Sequence, residues 1–308
     1  MTKLGITFLR FLFIFLMVFT LKGYCYQDQD STQKSNIIAN GASPRLISNQ
    51  FKFTEGPAPD RYGNVFFTDQ PNDKIWKYDT NGKLSVFLDK TGRSNGLYFD
   101  KKGNLISCAD ERNQLWSIDP AGKVRVLLSD YKGQLFNGPN DLWIHPRGGI
   151  YFTDPLYKRD YWTSKGERLQ KEEVYYLAPN KKEAVAVASN TEKPNGIIGT
   201  PDGKTLYVAD IQGNKTYKYK INADGTLQAP QLFAEQGSDG MTIDNKGNIY
   251  LTGKGVTVYN PAGKQIEHID IPANWTANVC FAGKNRDKLF ITASESVYVL
   301  DMQVIGVQ

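Results

Sequence analysis

Histidine is nearly absent from this 308-residue chain: His145 and His268 are the two it has. That scarcity argues against a His-rich zinc centre and leaves a Ser-His-Asp triad little to draw on. His145 follows an apolar run and reads as a turn residue. Cysteine is scarce too, with three residues. Cys108 and Cys280 lie far apart without the spacing of a metal site. An exported chain could join them, but buried free thiols in strands are the expected state.

Long apolar runs are missing except at residues 11–21, which follow Lys3 and Arg10. That run is too short to span a bilayer comfortably, a task for about 20 apolar residues. It suits a secretory leader, and Gly23-Tyr24-Cys25 offers a small-x-small cleavage pattern. Tyr24 stands where a lipoprotein signal needs a small residue. The expected organisation is a signal peptide over 1–25, a flexible polar linker over 26–42 and one domain over 43–308. The mature chain is then exported, periplasmic or secreted, with no membrane segment. Losing Lys3, Arg10 and Lys22 with the leader takes the formal net charge from +5 to +2. So small an excess, with no basic cluster, excludes a nucleic-acid footprint.

No stretch sustains a helical period, and what the chain has instead is a repeat. A short β-rich run, an Asp/Asn/Gly turn and a second β-rich run recur six times. The third copy, residues 136–154, shows the unit plainly. Asn140-Asp141 leads into an apolar run, Arg147-Gly148-Gly149 turns the chain, and Ile150-Tyr151-Phe152-Thr153 returns it. Third and fourth β-rich runs follow in most copies. Four short strands roughly every 40–55 residues describe the blades of an all-β, six-bladed β-propeller. Residues 45–48 are expected to complete the last blade and close the ring, which protects the sheet edges.

Each innermost strand opens on an oxygen-bearing side chain: Glu55, Asn95, Asn140, Asn195, Asp239 and Asn278. Any one of these reads as a turn former. Six at one mouth of a central channel read as a built site. Two carboxylates among carboxamides make a hard oxygen set suited to Ca²⁺, with Mg²⁺, Mn²⁺ or Zn²⁺ as other occupants. A bound divalent ion polarises a carbonyl and acidifies water. Asp141 adds a carboxylate beside Asn140, and Asp239 could serve as ligand and base together. The set suits hydrolysis of an activated ester; a lactone is one choice among carbonyl substrates. The longest break in the repeat, residues 155–171, carries Tyr157, Lys158, Arg159, Tyr161 and Trp162. Aromatic faces beside basic donors suit a polyhydroxylated ring or its carboxylate product. Asn95, Asn140, Tyr157, Arg159 and Trp162 are therefore the candidate substrate contacts, and Asp239, Asn140 and Asp141 the candidate catalytic groups.

These motifs resemble the gluconolactonase/regucalcin (senescence marker protein) family. The resemblance rests on Glu55-Gly56-Pro57, Asn95-Gly96-Leu97, Pro139-Asn140-Asp141, Tyr151-Phe152-Thr153-Asp154-Pro155, Pro194-Asn195-Gly196 and Ser238-Asp239-Gly240-Met241. The segment at 157–162 looks like the bacterial gluconolactonase branch. The resemblance implies a divalent metal, typically calcium, on Glu55, Asn195 and Asp239. It places Asn140 at the substrate and metal-water side, makes Asp239 the base and gives a small-molecule lactone as substrate. Some relatives carry Arg where this chain has Gly138; Lys158, Arg159 or Arg112 could substitute. Two other readings stay open: a non-catalytic propeller that binds a sugar acid or a protein, and a metal-free strictosidine-synthase-like propeller. Oligomeric state is not readable from the sequence.

Overall fold

The computed structural model describes residues 1–2, 36–162 and 165–308. The expected leader and residues 26–35 of the expected linker lie outside the described residues, apart from Met1 and Thr2. The chain divides into two units, residues 1–33 and residues 34–308, and the second is the propeller. Among the described residues no helix is long and apolar enough to cross a membrane.

Among the described residues, twenty-four short strands form six four-stranded antiparallel sheets, one per blade. In the first five blades the four strands are consecutive in the chain. The sixth takes its outer strand, Arg45–Ser48, from the start of the domain, where Arg45 pairs with Val299 and Leu46 with Tyr298. This closure leaves no unpaired first strand.

The end of the expected linker departs from its reading. Ile37 is buried and packs in the core beside blade six. Ile38 bridges Met302, and the Ala39 amide donates to the Asp301 carbonyl at 3.0 Å. Residues 37–39 are thus docked; a polar composition concealed two isoleucines with a surface to cover.

Apolar side chains fill the gaps between neighbouring blades. Phe67 and Phe290 pack between blades one and six, and Phe66 meets Phe99 between blades one and two. Burying each such side chain contributes roughly 1.5–3 kcal/mol. Cys108 and Cys280 are buried free thiols. His145 is structural: a ring nitrogen contacts the Gly203 carbonyl at 3.0 Å, and the Arg147 amide donates to Nδ1 at 2.9 Å.

Carboxylates organise the hairpin turns at one end of the blades. Asp60, Asp100 and Asp244 each accept two backbone amides of their own turn, and a following Asn side chain donates to the second oxygen. These are Asx turns, with every carboxylate oxygen engaged.

Candidate active site

The opposite end of the inner strands is irregular in a repeated way. Four of them, Thr54–Pro59, Ser94–Phe99, Pro194–Gly199 and Thr276–Ala282, carry a register shift at their opening. One extra residue bulges there, which re-aims a side chain away from the blade. Asn95 and Asn195 lie within the shift, and Glu55 and Asn278 flank it, paired in register with Thr68 and Thr292. In blades three and five the strand proper begins just after Asn140 and Asp239, at Leu142–Ile144 and Met241–Ile243. Threonines on the second strands hold these openings: the Asp141 amide donates to Thr153 Oγ1, and the Gly240 amide to Thr252 Oγ1. Neighbouring openings pack so closely that a Cβ on Gly240 would fall within 2.0 Å of the Asn278 carboxamide.

Five of the six opening side chains are buried, and Asp239 is half-buried. A cavity of about 360 Å³ is lined by Glu55, Asn95, Asn140, Tyr157, Arg159 and Asp239, together with Phe53, Gln70, Ile211 and Trp275. Asn195 adjoins it and donates through Nδ2 to the Tyr157 hydroxyl at 2.9 Å. Its buried Oδ1 has no hydrogen-bond partner, and neither has Oδ1 of Asn95.

Two predicted residues are not brought to this cavity. Asp141 lies on the channel wall beneath it, accepting from its neighbour Leu142 at 2.9 Å and facing Asn278 at 3.5 Å. Trp162 is turned away, its indole N–H bound to Asp110 and its ring covered by Arg168 at 3.9 Å.

Two further residues escaped the sequence reading. Trp275 donates to Asp239 Oδ2 at 2.6 Å, fixing that carboxylate from blade six. Asp110, buried at the end of blade two's second strand, gathers donors from the 155–162 segment. The spelling Gly-x-Ser-x-Gly at residues 92–96 is no nucleophile elbow. Ser94 is fully buried, donates to the Thr91 carbonyl and shares a short contact with Ser107 Oγ.

A family model described as SMP-30/Gluconolactonase/LRE-like region matches residues 53–295. The chain belongs to that family. It is 27% identical to a gluconolactonase of Zymomonas mobilis, over 85% of this chain and 82% of the relative. It is 27% identical to the lactonase drp35 of Staphylococcus haemolyticus, over 75% of this chain and 74% of the relative. A solved gluconolactonase of Xanthomonas campestris superposes with a TM-score of 0.79 at 27% identity, covering 86% and 91% of the two chains. A calcium-binding regucalcin of Agrobacterium tumefaciens shares the fold at a TM-score of 0.72 and 20% identity, covering 86% and 95%. The gluconolactonase/regucalcin resemblance of the motifs and the six-bladed ring therefore agree.

The electrostatics of this family member's site follow from burial. Burial pushes the Glu55 carboxyl well above the ordinary range, and the nearby charges of Asp239 and Asp141 push it further. Burial alone raises Asp239, to about 6; hydrogen bonds from Trp275 and Asn195, and the Arg159 charge, oppose it. Asp141 is pushed up to about 7 by burial. Three acids crowded into low dielectric repel one another when ionised. Among the described residues no three His, Cys, Asp or Glu side chains converge as a metal cluster. The oxygen set fits a cation in another way: Glu55 and Asp239 line the cavity, and Asn195, joined to it through Tyr157, keeps a buried amide oxygen without a partner. An orphaned buried acceptor beside a cavity with two acids suits a hard cation.

Proposed function

We propose that this chain is a hydrolase opening sugar lactones to the corresponding hydroxy acids, with Glu55, Asn195 and Asp239 holding a divalent cation, Ca²⁺ first. The observation that carries this reading is the buried, unpartnered Asn195 Oδ1 beside a cavity lined by Glu55 and Asp239, two carboxyls whose pKa burial raises. A cation in that place would supply polarisation of the lactone carbonyl and acidification of water. The names of the gluconolactonase and lactonase relatives support the substrate class.

The chain's own residues do the rest. Trp275 engages Asp239 Oδ2, so the other oxygen is the one presented to water. Asp239 takes a proton as the water oxygen adds to the carbonyl carbon. It returns that proton to the ring oxygen when the ester C–O bond breaks, leaving a carboxylic acid and a hydroxyl. Tyr157 holds Nδ2 of Asn195 and thereby turns Oδ1 inward. Asn95, Asn140 and Arg159 are placed to meet the ring oxygens, and Phe53, Ile211 and Trp275 give the cavity an apolar wall. Export of the mature chain, read from residues 1–25, belongs to the same proposal.

The test is a pH-indicator assay over a panel of sugar and aliphatic lactones, with and without EDTA. Turnover of a sugar lactone that EDTA abolishes and Ca²⁺ restores is expected. Ligand binding without turnover would instead favour a non-catalytic propeller, and EDTA-resistant turnover would remove the cation from the reaction.

A further inference from the structure

Asp110 has four side-chain donors on one buried carboxylate. Gln70 Nε2 donates at 3.1 Å, Arg159 Nε at 3.2 Å and the Tyr161 hydroxyl at 2.6 Å, all to Oδ2; Trp162 Nε1 donates to Oδ1 at 2.9 Å. Three of the four come from a single stretch of four residues in the blade-three insertion, about 50 positions downstream. Asp110 itself belongs to blade two, so the contact crosses a blade boundary. No cavity-lining role explains it, since Asp110 does not line the cavity.

The surroundings are fitted to this carboxylate. Gly138 has φ +152°, and a Cβ there would lie 2.7 Å from Asp110 Oδ1 and 3.4 Å from the Trp162 ring. Any larger residue would push the carboxylate off its donors. Arg93 lies over the Tyr161 ring at 4.6 Å and Arg168 over Trp162 at 3.9 Å, so both aromatic donors are also held from outside. Arg159 and Gln70 differ from these two in lining the cavity, and of the Arg159 nitrogens only Nε is spent on Asp110. A guanidinium is planar with five donors, so fixing Nε fixes where the terminal nitrogens point.

We infer that Asp110 is a positioning residue: it latches the 157–162 segment onto blade two and aims the Arg159 guanidinium into the cavity, where Arg159 selects lactones with several hydroxyls over plain aliphatic ones. This rests on the lactonase reading for its substrate, but the latch itself does not. A polyhydroxylated ring offers the acceptors that terminal guanidinium N–H groups need; an aliphatic ring leaves them unpaired.

The experiment compares the full-length wild type with Asp110→Asn and Arg159→Lys, the second keeping the charge while losing the fork. Kinetics are measured on a polyhydroxylated lactone and an unsubstituted lactone of equal ring size. Tryptic nicking after the exposed Lys158 is followed in parallel. Both variants should raise KM on the polyhydroxylated ring about tenfold, the worth of one hydrogen bond to a charged group, with little change in kcat. KM on the plain ring should move much less, and Asp110→Asn should speed nicking at Lys158. The double variant should be no worse than the worse single one. Wild-type nicking and an unchanged KM ratio in Asp110→Asn would overturn the latch. Equal losses on both rings would overturn the selection. Absence of any wild-type turnover would instead fell the lactonase reading, while the nicking rate would still judge the latch.

Discussion

The two ends of the inner strands use the same side chains to opposite effect. At the turn end, Asp60, Asp100 and Asp244 spend every oxygen on their own turn, on backbone amides and a following Asn. At the opening end, Asn95 and Asn195 keep a buried oxygen without a partner, and removal from water disfavours the charged forms of buried Glu55 and Asp141 and half-buried Asp239. Residue type therefore does not separate structural from functional Asx residues in this ring. Satisfaction separates these examples: the three turn carboxylates are closed on themselves, and Asn95 and Asn195 are left with an oxygen to spare.

The comparison can be broken most severely at Asp239. Asp239→Asn keeps the shape but loses the base, and turnover at saturating Ca²⁺ should drop by roughly 10²–10⁴-fold. Circular dichroism and the melting temperature should stay near wild type; retained turnover would mean that the opening end is as structural as the turn end.

Asp141 sharpens the contrast through pH. Its folded-state value, about 7, lies above the ordinary carboxylate range. The folded protein thus holds this proton more tightly than the unfolded chain does. The associated stability is full below about pH 4 and is lost as pH rises through 7. In EDTA-treated protein, Asp141→Asn should flatten the fall in stability between pH 4 and 8, by roughly 2–4 kcal/mol at the upper limit. A parallel fall in the variant would show that this carboxylate is not what titrates.

The smallest effect on function belongs to the turn end. Asp244 accepts two amides, the Asn248 side chain and the Tyr250 hydroxyl at 3.0 Å. Asp244→Ala leaves those donors buried without an acceptor and should cost roughly 1–3 kcal/mol in denaturant unfolding. Its kcat should remain within about twofold of wild type, because this carboxylate holds the turn and the Tyr250 hydroxyl and does not line the cavity.

Much of this was legible in the sequence. Blade number, strand order and ring closure follow from turn chemistry and a period, both local. The six opening residues were legible because the repeat aligns them. Their different states of satisfaction were not, because these depend on partners in other blades. Asp110 shows the limit. It follows an apolar strand much as Gln70 follows Asp69, and nothing nearby announces donors some 50 residues away. Trp275 was hidden likewise: an isolated aromatic before the last blade reads as core until its N–H is found on Asp239. Residues 37–39 were misjudged because average polarity outweighed two isoleucines.

Ring closure has a further consequence. Residues 37–39 run beside residues 301–303, but the last residues continue past blade six: Gly306 bridges Asp244 of blade five, Thr242 donates to Gln308, and Gln308 lines the channel beside Asp141 and Met241. A surface linkage or a fused reporter joined after Gln308 would thus start from the turn end, leaving the opening end with its cavity clear for immobilisation or sensor designs.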